Sequence, residues 1–221
     1  MRSQKCGKLI AIDGGEGSGK SSLVDFLKSE LSSSKVLFTR EPGGTEIAEA
    51  IRAVALSKEY DEEMHPIAEL LLMCAARAQH VEKKIAPALE SGMNVITDRF
   101  SLSTYAYQLW GQNRLDLFSQ LSQMDAMARG AIHNGHALIG GTKVDLQIVL
   151  DIPPRIGLAR VSSRKGEINR FDLKDIDFHK RVREGFLTAE SQGNTEIVDA
   201  SQKQEVVQAE VLRIIKKTFA S

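Results

Sequence analysis

Eight consecutive residues, Gly14-Gly15-Glu16-Gly17-Ser18-Gly19-Lys20-Ser21, fit the pattern G-x-x-x-x-G-K-[ST] at every fixed position. That spacing serves phosphate binding. Glycines let successive backbone N–H groups turn inward around phosphate oxygens, Lys20 reaches the outer phosphates, and Ser21 offers its hydroxyl to Mg²⁺.

The flanking residues say where such a loop sits. Lys8 to Ile12 is a short apolar run that reads as a buried strand. Leu23, Val24, Leu27 and Leu31 recur at helical spacing, so the loop joins a strand to a helix whose N-terminus faces the phosphates. Further apolar runs at 35–39, 94–97, 146–150 and 195–198 read as strands. Helical patterns cover 46–56, 66–90, 103–109, 115–128, 155–161, 176–190 and 205–218. Strands alternating with helices predict a parallel sheet with helices on both faces, the α/β arrangement of a P-loop NTPase fold. Residues 129–142 read as a connecting loop. The polar segment 162–172, with Arg164, Lys165 and Arg170, suits either a solvated surface or a lid that closes over phosphates.

With 221 residues the chain accommodates one substantial domain, 1–221. Lys plus Arg and Asp plus Glu both number 29, so no nucleic acid polymer and no anionic membrane is expected as a partner. Cys6 and Cys74 lack metal-ligand spacing and read as reduced thiols. The most apolar stretch, Ile67 to Ala76, contains Glu69 and is too short to span a bilayer. A soluble, cytoplasmic protein is expected.

Among P-loop proteins, a GTP switch needs a base-reading N/T-K-x-D after a strand and a D-x-x-G. Thr142-Lys143-Val144-Asp145 has the first spelling but precedes its strand, and D-x-x-G does not occur. A small-molecule kinase fits better. Thr39-Arg40-Glu41-Pro42-Gly43-Gly44-Thr45 closes the second strand and Asp98-Arg99-Phe100 the third. Ligand-binding groups collect beyond the C-terminal ends of parallel strands, so Arg40 and Arg99 are expected in one crevice with the P-loop.

These segments, with Ala75-Ala76-Arg77, Ser101 to Gln108, Leu150-Asp151-Ile152-Pro153-Pro154 and Arg164 to Arg170, resemble the thymidylate kinase family over nearly the whole chain. The resemblance implies a single nucleoside monophosphate kinase domain with 162–172 as its lid, transferring the γ-phosphoryl of ATP to dTMP, with Mg²⁺, as a homodimer. It implies that Gly14, Gly15, Glu16, Gly17, Ser18, Gly19, Lys20 and Ser21 bind ATP. It places Asp13, Arg40, Met73, Arg77, Arg99, Thr104, Tyr107 and Gln108 around dTMP, with Arg40 and Arg99 on its phosphate and Asp13 on the 3′-hydroxyl. Arg77, Thr104 and Gln108 fall at the base and Tyr107 at the 2′ position. Met73 stands where the family usually stacks a phenylalanine on thymine. Ser21 and Asp98 are the metal candidates; Asp98 has an alternative role as an ion-pair partner of Arg99. Catalysis falls to Lys20, Arg99 and a lid arginine, because the P-loop carries no arginine of its own: Arg164 first, then Arg160 and Arg170. Another nucleoside monophosphate kinase or deoxynucleoside kinase, or a non-enzymatic nucleotide-dependent module, are the competing readings.

Overall fold

The computed structural model describes residues 6–130, 141–163, 169–189 and 193–220, and the backbone at 132–133 and 136–137. Five parallel strands form the central sheet: β1 (Leu9–Gly14), β2 (Val36–Arg40), β3 (Asn94–Asp98), β6 (Leu146–Asp151) and β7 (Thr195–Asp199), in the order β2-β3-β1-β6-β7. The apolar runs read from sequence fall on these strands. Residues 129–142, expected as plain loop, contain a small antiparallel pair, β4 (Ile132–His133) with β5 (His136–Ala137).

Helices cover both faces, as the continuous apolar character of β1 requires. Ile10 and Ile12 face α1 (Lys20–Glu30) and α9 (Gln204–Ala220), packing with Leu23, Leu27, Val211 and Ile215. Leu9 and Ala11 face the other way, onto Val81, Ile85, Val95 and Phe100. The remaining helices are α2 (Glu46–Leu56), α3 (Pro66–His80), α4 (Ala86–Glu90), α5 (Ser101–Thr104), α6 (Phe118–Ala128), α7 (Pro154–Ser163) and α8 (Ile176–Leu187).

The single helix expected over 66–90 is interrupted by a π turn at Val81–Ile85. Pro87 lies just beyond it; proline lacks an N–H and crowds the preceding turn, and the wider turn accommodates this. A second π segment, Tyr105–Gly111, extends α5 and carries Tyr107 and Gln108 on its buried side.

Candidate active site

The sheet register brings the expected groups to one edge. Arg40 pairs with Asp98 across β2 and β3, Ile12 with Asp98 across β1 and β3, and the P-loop leaves β1 at Gly14. Gly19 caps α1 at φ 88, a left-handed conformation that favours glycine. The first turn of α1 has no acidic side chain, so nothing on the helix competes with an anion for its N–H groups. Gly17 (φ 70) lies against Gly157 of α7. A Cβ on Gly17 would overlap the Gly157 carbonyl, and one on Gly157 would overlap the Glu16 carbonyl.

Lys20 folds back over this loop. Its Nζ donates to the Gly14 and Gly15 carbonyls at 2.8 and 2.9 Å and to Ser18 Oγ at 3.2 Å. Burial, followed by the neighbouring Arg99 charge, lowers its ammonium to about 8.

Arg99 has the backbone of a strained residue, φ 71, held by its N–H on the Ile12 carbonyl at 2.9 Å. Its guanidinium donates to the Gly14 carbonyl and Ser103 Oγ, both at 3.1 Å, and to Tyr107 Oη at 3.2 Å. Glu16 lies 3.5 Å away and accepts from Tyr107 Oη at 2.8 Å. Burial raises the Glu16 carboxyl, but Arg99 and Lys20 together outweigh it and hold the group low.

Asp13 is the residue expected at the sugar hydroxyl. It is fully buried, with one oxygen accepting from Ser103 and the other from Gln147 Nε2 at 2.7 Å, and burial pushes its carboxyl up. The centre of a parallel sheet turns this side chain inward, and Glu16 is the carboxylate on the cleft wall. Among the described residues the ion pair of Arg99 is with Glu16, not Asp98, and none bonds the buried Asp98 Oδ1.

Arg77 is the most enclosed of the expected base-reading groups. Its three nitrogens donate to Glu41 Oε2, Asp125 Oδ1 and Thr104 Oγ1, each at 2.9 Å. Burial opposes the charge, but Glu41 and Asp125 more than compensate and raise it above its usual range. His80, also buried, bridges Glu41 Oε1 at 3.0 Å and Thr39 Oγ1 at 2.7 Å. Arg40 is half exposed and forms a two-pronged pair with Glu49, at 3.3 and 2.9 Å.

Glu16, Lys20, Arg40, Glu41, Arg77, Asp98 and Arg99 all border one cleft of about 1530 Å³. A single small-ligand pocket occupies ~300–1,000 Å³, so the cleft has room for two substrates. Its wall includes Gly17–Ser21, Arg160 and residues from Ala200 to Gln208, together with Arg40, Met73, Arg77, Thr104, Tyr107 and Gln108. Lys20, Asp98 and Arg99 line the same cleft. Gly14 and Gly15 lie behind this wall, and Thr142–Asp145 lies at the opposite end of the sheet, where Asp145 accepts from the Leu9 N–H at 2.7 Å. The sequence offered no role for Glu41, Glu49, His80, Asp125 or the Ala200–Gln208 wall. Glu41 alone carried a signal, its place inside the Thr39–Thr45 motif.

The lid arginines divide. Arg170 is tied through Nε to the Ala55 carbonyl at 2.6 Å and through Nη2 to buried Glu69. Arg160 borders the cleft while donating to the Ala200 carbonyl at 2.8 Å. Arg164 lies outside the described residues.

A five-stranded parallel sheet, a P-loop opening onto a large cleft and arginines on the wall of that cleft define a P-loop phosphotransferase of the nucleotide kinase class. The thymidylate kinase family model matches residues 12–211. A protein named thymidylate kinase from Marinomonas sp. (strain MWYL1) is 42% identical over 209 residues, covering 93% of this chain and 92% of that one. One of the same name from Francisella philomiragia is 38% identical, covering 96% and 99%. A crystal structure of thymidylate kinase from Ehrlichia chaffeensis superposes with a TM-score of 0.71 at 27% identity, over 96% of this chain and 99% of that one. The chain belongs to the thymidylate kinase family.

Proposed function

We propose that this protein transfers the γ-phosphoryl group of ATP to dTMP, giving dTDP. The observation that carries this reading is a single cleft large enough for two substrates, bordered by the P-loop and α1 N-terminus, by Arg77, Thr104 and Gln108, and by Lys20 and Arg99. The donor lies along the P-loop and the acceptor against Arg77, Thr104 and Gln108. A phosphate oxygen of dTMP forms a bond to the γ-phosphorus as the bond to the bridging oxygen of ADP breaks. The protein's part is to hold two anions in line and spread their charge. Lys20 exchanges its loop carbonyls for donor phosphate oxygens, and Arg99 reaches both phosphates. Arg40 swings from Glu49 onto the acceptor phosphate, which its exposure permits.

A divalent ion fits this site. Asp98, whose buried Oδ1 has no partner among the described residues, and the Ser21 hydroxyl lie on the same cleft, and Mg²⁺ needs few protein ligands when phosphates and water supply the rest. Bound there, Mg²⁺ would neutralise phosphate charge. Ser21 would hold it directly and Asp98 through water.

The chain acts as a single nucleoside monophosphate kinase domain, 1–221, with 162–172 as the lid, and as a homodimer. Ile47 and Val54 on α2 and Ile67 and Leu71 on α3 are exposed on packed neighbouring helices, an apolar surface suited to a second copy. No helix among the described residues is long and apolar enough to cross a membrane, which agrees with a cytoplasmic enzyme. A coupled ADP-release assay with nucleosides and nucleoside monophosphates, with and without Mg²⁺, tests the reading. dTMP is expected as the best acceptor; preference for a purine monophosphate or a nucleoside would overturn it.

A further inference from the structure

Glu69 is a carboxylate on α3 with no exposure to solvent, and no step of the reaction above uses it. Three side chains converge on it. Gln108 Nε2 donates to its Oε1 at 2.7 Å, Gln112 Nε2 donates to the same oxygen at 2.6 Å, and Arg170 donates to Oε2. We infer that Glu69 is a positioning residue that fixes the polarity of the base pocket by holding the Gln108 amide in one of its two orientations.

A glutamine amide presents a donor at one end and an acceptor at the other, and its shape alone does not choose between them. A carboxylate does choose, because it accepts. With its nitrogen committed to Glu69, Gln108 has its oxygen end left for the cleft that it borders. Among the described residues, none donates a hydrogen bond to that oxygen. Arg77, on the same wall, has only donors. The wall thus pairs a donor with an acceptor. A thymine edge carries a carbonyl at position 4 and an N–H at position 3, the complement of that pair. Cytosine carries an amino group and a bare ring nitrogen at those positions, so both contacts would oppose like with like. Burial makes such mismatches costly, because the pocket groups lose water and gain no partner.

Arg170 sharpens the consequence. In Glu69→Gln, its charge claims the new amide oxygen, and the new NH₂ is left facing Gln108 and Gln112. Gln108 then turns its oxygen inward and offers its NH₂ to the cleft, the polarity that cytosine prefers.

The inference rests on the dTMP kinase reading and deepens it. The test is kcat/KM for dTMP and dCMP in wild type, Glu69→Gln, Gln108→Leu and the double variant, with thermal unfolding of each. Wild type is expected to prefer dTMP strongly, and Glu69→Gln to narrow the dTMP:dCMP ratio by about tenfold or more, mainly through KM. Gln108→Leu is expected to narrow it too, and Glu69→Gln to add nothing further in that background, a result that a purely structural role would not produce. A ratio unchanged in Glu69→Gln, or narrowed equally with and without Gln108, overturns the inference. If Glu69→Gln does not fold, Gln108→Leu decides alone, and its retention of full discrimination overturns the inference. Wild type without dTMP turnover would instead overturn the kinase reading, and this inference with it.

Discussion

Arg77 and Glu41 form an ion pair sealed from solvent, Nε to Oε2 at 2.9 Å with both side chains under 5% exposed: 3% and 4%. The pair joins the end of β2 to α3, and His80 locks the other Glu41 oxygen. Removing one partner of such a pair strands a buried charge, at a cost of about 3–5 kcal/mol. Glu41→Ala is therefore expected to lower stability by about that amount and to raise the KM for dTMP more than it lowers kcat. Urea unfolding and steady-state kinetics measure both. Wild-type stability with unchanged KM would show that Asp125 and Thr104 orient Arg77 unaided.

Lys20 gives the enzyme a pH signature. Its ammonium is lowered by burial and by Arg99 from 10.5 to about 8. Between those values the unfolded chain keeps a proton that the folded chain has released, so this group makes stability rise with pH across that window and leaves it unaffected below. ATP phosphates supply counter-charge and draw the proton back. Calorimetry in two buffers of different ionisation enthalpy, at about pH 8.5, is expected to show proton uptake on ATP binding, vanishing near pH 6.5 and in Lys20→Met. Uptake that persists in Lys20→Met would assign the proton elsewhere.

The three arginines near the lid are expected to fail differently. Arg170→Ala leaves Glu69 buried without its charged partner, and a loss on the order of 3 kcal/mol in stability is expected. Arg164→Ala is expected to keep stability and dTMP KM but to lower kcat more than about tenfold, as for a contact made mainly in the transition state. A silent Arg164→Ala with a severe kcat loss in Arg160→Ala would move the catalytic role to Arg160.

Met73, almost fully buried, borders the cleft and stands where the family resemblance implies an aromatic ring stacked on the base. Stacking contributes roughly 1–3 kcal/mol, and a thioether against a ring about 0.3–1.5 kcal/mol. Met73→Phe is expected to lower the dTMP KM by about fivefold, on the order of 1 kcal/mol. A raised KM would mean that the larger ring crowds the base.

The fold was readable because buried parallel strands are short unbroken apolar runs and the P-loop has fixed spacing. Arginines at strand ends were readable for the same reason: a parallel sheet collects them at one edge. The carboxylates that pair with Arg77 and Arg170 were not. Glu69 and Asp125 lie on helices, where an acidic residue reads as solvent-facing, and only the packing of α3 against the Tyr105–Gly111 segment and α6 buries them. Asp13 and Glu16 were both visible, but which faces the cleft depends on how the chain leaves β1. Spacing along the sequence does not encode that turn.

The contact between Gly17 and Gly157 binds two distant parts of the chain to a common evolutionary fate. Compensation in a packed interior normally works by exchange: one residue grows while its neighbour shrinks. Here both members are already at the smallest residue, so no reciprocal change exists. Variation at Gly157, in a helix that supplies none of the phosphate-cradling residues, is therefore constrained as tightly as variation in the loop itself. In a mutational scan scored by ATP KM, Gly157 would be grouped with the donor site.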